Sequence, residues 1–316
     1  MSELIQLDVL PALTSMPPRA AINRRIPEWL TIKLPKRQGI AEVEGLMRSA
    51  KLVTVCEEAR CPNLGECWSK KTATFMILGD TCTRSCRFCA VKTGKGGALD
   101  PDEPRRIAES ARALGLKHTV VTSVNRDELP DGGSHHFAQT IQWLRDLLPE
   151  TIVEVLTPDF LGNKVNIQIV VDAKPHIYNH NIETVPRLYR QVRPQARYAR
   201  SLQLLSYVKE SDPEIYTKSG LMVGLGETKA EVISLLEDLK AHAVDAVTIG
   251  QYLKPGKNYL DVVEYVHPDV FAEYKAIGEE MGFLFVASGP FIRSSYNAKE
   301  FSDLFLSMGS EPQKAA

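Results

Sequence analysis

All six cysteines of the 316-residue chain lie in one short window, between Cys56 and Cys89. A packed core draws its small apolar residues from every element, so packing alone does not concentrate cysteine in this way. A disulfide framework would more often spread across the chain and needs an oxidising compartment. The window therefore predicts thiolates that meet at a metal ion or an iron–sulfur cluster.

The cysteines form two triplets, a first one with the pattern C-x4-C-x5-C and a second one with C-x3-C-x2-C. Their members are Cys56, Cys61 and Cys67, followed by Cys82, Cys86 and Cys89. Structural zinc usually takes four ligands from two close pairs, and only Cys86 and Cys89 form such a pair. A 4Fe–4S cluster takes one ligand per iron, so three cysteines leave one iron available. By analogy with catalytic zinc, an open position indicates chemistry rather than scaffolding.

Two alternatives to a cluster stay open. The second triplet has the i, i+4, i+7 spacing of a helix face, so its cysteines could be buried core residues, although Arg84, Arg87 and Gly79 favour a loop. In the first triplet, Pro62 and Gly65 would break a helix, so we expect a loop wrapped around an inorganic centre. The other alternative is one or two zinc sites.

Short β-rich runs alternate with amphipathic segments from residue 72 onward. The predicted strands are 72–78, 118–124, 151–157, 176–182, 219–225, 244–253 and 283–289. The predicted helices are 101–115, 134–148, 162–172, a segment after Glu183, 228–243 and 267–282. These six β/α units predict an α/β fold with a parallel sheet covered by helices, either a partial barrel or a doubly wound sheet.

Ligands of either architecture bind at the carboxyl ends of the strands, and the second triplet directly follows the first predicted strand. Polar residues stand near the ends of other strands. For each one taken alone, a role in a turn or a cap is a simpler explanation than a role in ligand binding. Together they predict a shared pocket. They are Thr122, Ser123, Asn125, Glu154, Asn179, His180, Asn181, Gln251 and Tyr252. The glycine-rich segment 220–228 is not a dinucleotide fingerprint, and an ordinary strand-to-helix turn explains it equally well.

Composition argues against several classes of protein. The net charge of −1 is not that of a protein whose main task is to grip nucleic acid or anionic lipid. With 44% apolar and 24% charged residues, the chain matches an ordinary globular protein. It contains no uninterrupted apolar run of roughly 18 residues, so we expect no membrane span. Early acidic residues and the lack of a basic start predict no export signal, a cytoplasmic location and reduced cysteines.

Both ends of the chain differ from the β/α body. Five of the 19 prolines lie in residues 11–35, and the segment Arg19–Arg37 holds six basic residues and one acidic residue. We expect an irregular arm over the first 50 residues. It could be a solvated strap or a contact for an acidic partner or an anionic part of a cofactor. At the other end, FIRSSYNAKEF (291–301) is expected to be a loop, and spacing alone assigns it no ligand.

The second triplet, within CTRSCRFC, resembles the signature of the radical S-adenosylmethionine superfamily. The combination of VCEEARCPNLGECW, GDTCTRSCRFCAV, VNRDELPDGG, HNIETV, GLMVGLGE and ASGPFIRSSY is similar to the lipoyl synthase family, over about residues 26–298. The first triplet and the RSSY segment distinguish that family from the wider superfamily. The resemblance implies a partial (β/α)6 TIM-like barrel at 72–290, with an N-terminal arm at 1–71 that carries the first triplet and a C-terminal extension at 291–316.

The resemblance also implies two 4Fe–4S clusters and S-adenosylmethionine. The second triplet would hold the cluster that binds S-adenosylmethionine and cleaves it to a 5′-deoxyadenosyl radical. The first triplet would hold an auxiliary cluster, with Ser295, preferred over Ser294, as its fourth ligand. Sulfides of the auxiliary cluster would be inserted at C6 and C8 of an octanoyl chain on a carrier lysine, which gives the lipoyl group. Contacts to S-adenosylmethionine are predicted for Thr122, Ser123, Asn125, Glu154 and Asn179.

The implied partners are octanoylated carrier domains, an electron donor such as flavodoxin or ferredoxin, and an iron–sulfur carrier for cluster repair. The carriers would be 2-oxoacid dehydrogenase acyltransferase subunits and the glycine-cleavage H protein, and no nucleic acid or membrane is expected. A methylthiotransferase or a biotin-synthase-like enzyme shares the second triplet and stays an alternative. A non-enzymatic electron-transfer protein is the other alternative, although it would not need six β/α units.

Overall fold

The computed structural model describes residues 26–31 and 37–295 of the chain. The strands in this part are β1 (Val53–Thr54), β2 (Thr74–Ile77), β3 (Thr81–Cys82), β4 (Lys92–Thr93), β5 (His118–Ser123), β6 (Ile152–Leu156), β7 (Ile177–Asn179), β8 (Tyr216–Val223), β9 (Ala246–Gln251) and β10 (Phe285–Gly289). The helices are α1 (Arg37–Ser49), α2 (Val55–Glu58), α3 (Leu64–Ser69), α4 (Glu103–Leu114), α5 (Ser134–Leu147), α6 (Lys164–Asp172), α7 (Tyr189–Val192), α8 (Tyr198–Ser211), α9 (Lys229–Ala241) and α10 (Pro268–Glu280). None of these helices is long and apolar enough to cross a membrane.

One sheet of eight strands organises the molecule, in the order β1-β2-β5-β6-β7-β8-β9-β10. All neighbours from β2 to β10 are parallel, and β1 is antiparallel to β2. The parallel strands follow chain order without the reversal that defines a doubly wound sheet. Within the described residues β1 and β10 are the two free ends of the sheet, so the barrel is open. The predicted partial barrel is therefore confirmed.

The seven predicted β runs are all strands, with bounds that shift by a few residues. β8 begins at Tyr216, before the predicted start at 219, because the polar residues Thr217 and Lys218 hide the strand in the sequence although both are buried. The predicted helix after Glu183 is divided into α7 and α8, with Pro194, which lacks a backbone N–H, between them.

Two expectations for the N-terminal segment are wrong. Residues 37–49 form helix α1 rather than irregular chain, because Val43 and Met47 lie one turn apart and are completely buried on one helix face. Gly65 lies inside α3 and does not end it. The first triplet is nevertheless spread over two short helices, with Pro62 between them. Most of the basic stretch at 19–37 lies outside the described residues, and the division at 71 and 290 stays a prediction.

The barrel interior holds a buried ion pair. The Glu154 carboxylate accepts hydrogen bonds from Lys218 Nζ at 2.9 and 3.2 Å, from Asn179 Nδ2 at 3.0 Å and from His118 Nε2 at 3.0 Å. Burial alone would raise the pKa of Glu154, but the charge of Lys218 and the bond from His118 hold this pKa at about 2. The carboxylate is thus ionised and well partnered, which is the condition under which a buried ion pair is tolerated.

Lys218→Met is expected to lower the free energy of unfolding at pH 7 by about 3–5 kcal/mol, since it leaves the Glu154 charge buried without its cation. The folded pKa of Glu154 lies below its unfolded value of about 4.3. The pair's contribution is therefore complete above that value and is lost as the pH falls towards about 2. Urea unfolding measures this at pH 7 and pH 3. The difference in the free energy of unfolding between variant and wild type should be smaller at pH 3.

The control for this prediction is Lys275→Met, which removes an exposed lysine paired with Glu279. Exposed pairs of this kind contribute about 0.3–0.5 kcal/mol, so the control should unfold almost like the wild type. A Lys218→Met effect that is as small as that of the control, or that does not depend on pH, would contradict the role of the buried pair.

Candidate functional site

A cavity of about 570 Å³ lies at the mouth of the barrel. Its wall includes Thr122, Ser123, Thr157 and Gln251, which end or directly follow strands, as expected for a β/α barrel. Five of the six cysteines also line it, and none of the six forms a disulfide. The cysteines in the wall are Cys56, Cys61, Cys82, Cys86 and Cys89. Members of both triplets therefore face one space, and Cys67 is the one cysteine that is not in its wall.

The first triplet is held by a short helix, a turn and a second helix. Thr54 at the end of β1 caps α2, since its side chain accepts a hydrogen bond from the Glu57 N–H. The Cys61 N–H donates to Cys56 O at 3.0 Å, and the Cys67 N–H donates to Asn63 O at 2.9 Å. These local hydrogen bonds fix the turn between α2 and α3, which carry Cys56 and Cys67.

The second triplet follows β2: Cys82 ends the short strand β3, Cys86 and Cys89 lie in the loop after it, and none of the three is helical. The prediction of a loop is confirmed, and the alternative of three buried cysteines on a helix face is wrong. Cys82 Sγ accepts hydrogen bonds from the backbone N–H groups of Arg84 at 3.4 Å and Asn125 at 3.3 Å. The Cys89 N–H donates to Cys86 O at 3.1 Å.

A buried charge cluster anchors this loop to the neighbouring strand ends. Arg84 donates to Asp127 at 2.7 and 2.9 Å and to Asp159 at 2.6 Å, and Asp159 also accepts from Arg200 at 3.1 Å. Burial would raise the pKa of Asp159, but the Arg84 guanidinium holds this pKa well below its usual range. Arg84 therefore ties the segment between Cys82 and Cys86 to the loops after β5 and β6.

The C-terminal segment 290–295 enters the cavity at two glycines. A Cβ on Gly250 of β9 would collide with the carbonyl oxygen of Ile292, and a Cβ on Gly220 of β8 would lie 2.8 Å from Ser294 Oγ. Any other residue at Gly250 would displace the segment, whereas at Gly220 the Ser294 side chain would have to turn away. Asn63 Nδ2 also donates to Phe291 O at 2.7 Å, which ties the segment to the turn of the first triplet.

The two serines of this segment face different sides of the cavity. Ser294 Oγ donates to Asn181 Oδ1 at 2.8 Å, close to Glu183. Ser295 Oγ accepts from Thr74 Oγ1 at 2.9 Å. The Thr74 backbone is also a hydrogen-bond partner of the Cys56 thiol. Ser295 is therefore on the side of the first triplet and Ser294 on the side of the strand end after β7.

The predicted contacts to S-adenosylmethionine fall into two groups. Thr122, Ser123 and Asn125 line the cavity, and the Ser123 hydroxyl and the Asn125 side-chain nitrogen are buried without a hydrogen-bond partner. Buried polar groups are normally satisfied, so these two are suited to a ligand. Glu154 and Asn179 are not in the cavity wall, because they are bonded to each other inside the barrel.

The sequence assigned no ligand role to the charged residues of the cavity wall, among them Glu183, Arg193 and Arg293. Burial raises the pKa of Glu183, against the opposing charge of Arg193. Arg193 donates to Asn181 O at 2.8 Å and has a buried Nε without a partner. Burial lowers the pKa of Arg293, which lies near Cys61. For Arg293, its position beside the serine pair was a signal that the sequence offered. Glu183 and Arg193 stand in turns, and the sequence does not reveal how those turns fold.

The thiols of Cys56, Cys67 and Cys89 need a bound cation to ionise at neutral pH. Burial raises the pKa of Cys56 to about 11 and those of Cys67 and Cys89 to about 12, and neighbouring thiolates add to the shift of Cys67. Metal ions supply the missing stabilisation when thiolates bind them. No three His, Cys, Asp or Glu side chains of the described residues converge on a position for a single metal ion. A 4Fe–4S cluster does not require such convergence, because each thiolate binds a different iron, so the donor set fits clusters.

Comparisons with known proteins show which families the chain resembles. The profile of the radical SAM superfamily matches residues 76–239. A curated protein of Rubrobacter xylanophilus named lipoyl synthase is 57% identical over 274 residues, which cover 87% of this chain and 85% of that protein. A second lipoyl synthase, from Caldanaerobacter subterraneus subsp. tengcongensis, is 56% identical over 274 residues, 87% of this chain and 96% of that protein.

Two solved structures are similar in fold. Streptococcus suis SuiB bound to precursor peptide SuiA has a TM-score of 0.54 and 14% identity, over 72% of this chain and 50% of that chain. The methylornithine synthase PylB has a TM-score of 0.50 and 12% identity, over 89% of this chain and 95% of that chain. At such low identity these similarities concern the fold alone.

Proposed function

Since the chain belongs to the lipoyl synthase family of the radical S-adenosylmethionine superfamily, we propose which of its residues carry the family's reaction. Cys82, Cys86 and Cys89 hold a 4Fe–4S cluster that binds S-adenosylmethionine. Bound there, cluster and S-adenosylmethionine together supply a radical that removes hydrogen from an unactivated carbon. The first triplet and Ser295 hold a second 4Fe–4S cluster, which is consumed as the sulfur substrate.

The observation that carries the proposal is that members of both triplets and the two serines line the same cavity. Its volume of about 570 Å³ falls in the range of cavities that enclose a small-molecule ligand, roughly 300–1,000 Å³. A hydrogen-abstracting radical and a sulfur source must act on one carbon in turn, so they must reach the same bound chain. Two separate sites would not meet this requirement.

The residues of the chain in this cavity are proposed to orient S-adenosylmethionine and exclude water. The Ser123 hydroxyl, the Asn125 side-chain nitrogen and Arg193 Nε are buried donors without partners among the residues that the structure describes. We assign them, with Thr122, to the polar groups of S-adenosylmethionine. Glu154 and Asn179 act one layer deeper, where they brace β6 and β7 against Lys218. This replaces the direct contact expected of Glu154 and Asn179 from the sequence.

The location of Ser295 supports its assignment to the second cluster. Thr74 is a hydrogen-bond partner of both Ser295 and Cys56, whereas Ser294 is bonded to Asn181. A serine oxygen is a harder donor than a thiolate and suits iron less well. A weaker fourth ligand is appropriate for an iron that must leave when the cluster gives up its sulfides.

The proposed partners follow from the reaction. The substrate is an octanoyl chain on a lysine of a carrier domain, of the kind found in 2-oxoacid dehydrogenase acyltransferase subunits and the glycine-cleavage H protein. A one-electron donor such as flavodoxin or ferredoxin would supply the electron that the cluster held by the second triplet needs. An iron–sulfur carrier must rebuild the consumed cluster before another round.

Mass spectrometry of an octanoyl-lysine peptide tests the proposal. Anaerobically reconstituted full chain, with about eight irons, is incubated with S-adenosylmethionine and dithionite. The expected product carries two added sulfurs in place of two hydrogens, with two 5′-deoxyadenosine molecules released for each lipoyl group. Deoxyadenosine without added sulfur would assign the chain another radical reaction, and the absence of deoxyadenosine would exclude the radical mechanism.

A further inference from the structure

Positive charge is concentrated around the loop of the second triplet. The chain as a whole has a net charge of −1, yet no Asp or Glu occurs in residues 81–99, 184–209 or 252–260, each of which contains at least two Lys or Arg residues. The first of these segments contains the second triplet. The absence of acidic residues from all three is unexpected in a chain with 38 basic and 39 acidic residues.

Backbone hydrogen bonds join the three segments at Arg87, which stands between two cysteines of the triplet. The Arg87 N–H donates to Val192 O at 2.9 Å, and the Leu260 N–H donates to Arg87 O at 3.1 Å. Ser85 and Gln195 are also bonded, through Gln195 Nε2 and Ser85 Oγ at 3.1 Å. The three segments are therefore neighbours in space as well as alike in charge.

Residues of the cysteine loop line two different cavities. Cys86, Phe88 and Cys89 line the main cavity, whereas the exposed Arg87 lines a second cavity of about 440 Å³. The wall of this second cavity contains one carboxylate, Asp261, which pairs with Lys254 at 2.7 Å. A protein bound over the second cavity would thus be separated from the proposed cluster by little more than the loop itself.

Six cations of the three segments are exposed and form no salt bridge within the described residues; we call them the basic face. They are Arg87, Lys92, Lys95, Arg190, Arg197 and Lys257. Other cations of the same segments are occupied, since Arg187 pairs with Glu231 and Arg84 with Asp127 and Asp159. Unpaired cations in neighbouring segments repel one another, and a bound acidic surface would relieve this repulsion.

We propose that the basic face is the docking surface of the one-electron donor, a carrier protein with an acidic face. The inference rests on the proposed function, in which the cluster of the second triplet gains one electron and the donor loses one. Complementary charge selects an acidic partner and accelerates encounter. Arg87 lines the second cavity and not the main one, and this selects an electron carrier over the octanoylated carrier, whose acyl chain must enter the main cavity.

Charge reversal at two positions tests the proposal, in the variant Arg190→Glu/Lys257→Glu. Arg87 is left intact because it stands between two proposed cluster ligands. Reduction of the reconstituted holoenzyme is followed by its visible absorbance without substrate, with either reduced flavodoxin or dithionite as donor. With flavodoxin, the rate at low ionic strength should fall roughly tenfold or more. The difference in rate between the variant and the wild type should become smaller as salt screens the charges. With dithionite, the rate should equal that of the wild type.

The matched control is Arg112→Glu/Lys117→Glu, which makes the same change of charge near the amino end of β5, away from the barrel mouth. It should be reduced by flavodoxin at the wild-type rate. An undiminished rate for the basic-face variant, or an equal loss in the control or with dithionite, would overturn the proposal. The proposal would also be overturned if the basic-face variant had a raised KM for an octanoylated carrier domain while its reduction by flavodoxin was unchanged. That result would assign the basic face to the substrate carrier. The absorbance reports on docking even if no deoxyadenosine forms, so failure of the proposed function is recognised separately.

Discussion

Cys86→Ala is expected to reduce the formation of 5′-deoxyadenosine by roughly 10³-fold or more, close to the uncatalysed background. The reason is the donor set of the second triplet. It contains three thiols, and the main cavity wall offers no spare thiol on that side. The imidazole of His180 is occupied, since its two nitrogens are bonded to Thr157 O at 2.9 Å and Ser201 Oγ at 3.0 Å. Two thiolates do not hold a cluster that needs one ligand for each of three irons.

The iron content of Cys86→Ala distinguishes a local loss from misfolding. Because the first triplet is built by α2, α3 and the C-terminal segment, it should still bind its own cluster. Iron should therefore fall from about eight to about four per chain after anaerobic reconstitution. Ser85→Ala, an exposed neighbour in the same loop, is the matched control and should retain full iron and full deoxyadenosine formation. Cleavage of S-adenosylmethionine by Cys86→Ala at the wild-type rate would contradict the assignment of the second triplet.

Ser295→Ala is expected to separate the two halves of the reaction. Sulfur insertion into an octanoyl-lysine peptide should fall by at least about 100-fold, the upper end of the losses caused by changing groups that only support a metal ligand. Deoxyadenosine formation should persist, because the second triplet lies in a different loop. Mass spectrometry of the peptide and chromatography of the nucleoside, from the same reaction, measure both quantities.

Ser294→Ala is the matched control for this prediction. It removes only a hydrogen bond to Asn181, worth about 1 kcal/mol between neutral groups, so sulfur insertion should continue. Ser295→Cys should restore iron binding at the first triplet, since thiolates are the usual ligands of these clusters. Loss of sulfur insertion in Ser294→Ala but not in Ser295→Ala would show that Ser294 is the ligand.

The sequence by itself determined the fold class and the cluster chemistry. Apolar β runs at regular spacing predict parallel strands. A strand that is buried on both faces of the sheet is apolar along nearly its whole length, and a short stretch of sequence is enough to show this pattern. The cysteine triplets are equally visible, since the ligand types and spacings of a cluster are encoded in one short stretch. The family resemblance then connected the first triplet with a serine more than 200 residues away, which spacing could not do.

The tertiary structure alone decided which polar residues face the cavity. Glu154 and Ser123 both stand on predicted strands, yet Glu154 is bonded to Lys218 inside the barrel while the Ser123 hydroxyl is buried in the cavity wall without a partner. Likewise, Ser295 is assigned to the first triplet through Thr74, and three acid-free segments form one face only because Arg87 joins them. Such relations depend on strand register and on contacts between residues far apart in the chain. Local propensity carries no information about either, because each arises from how whole elements pack.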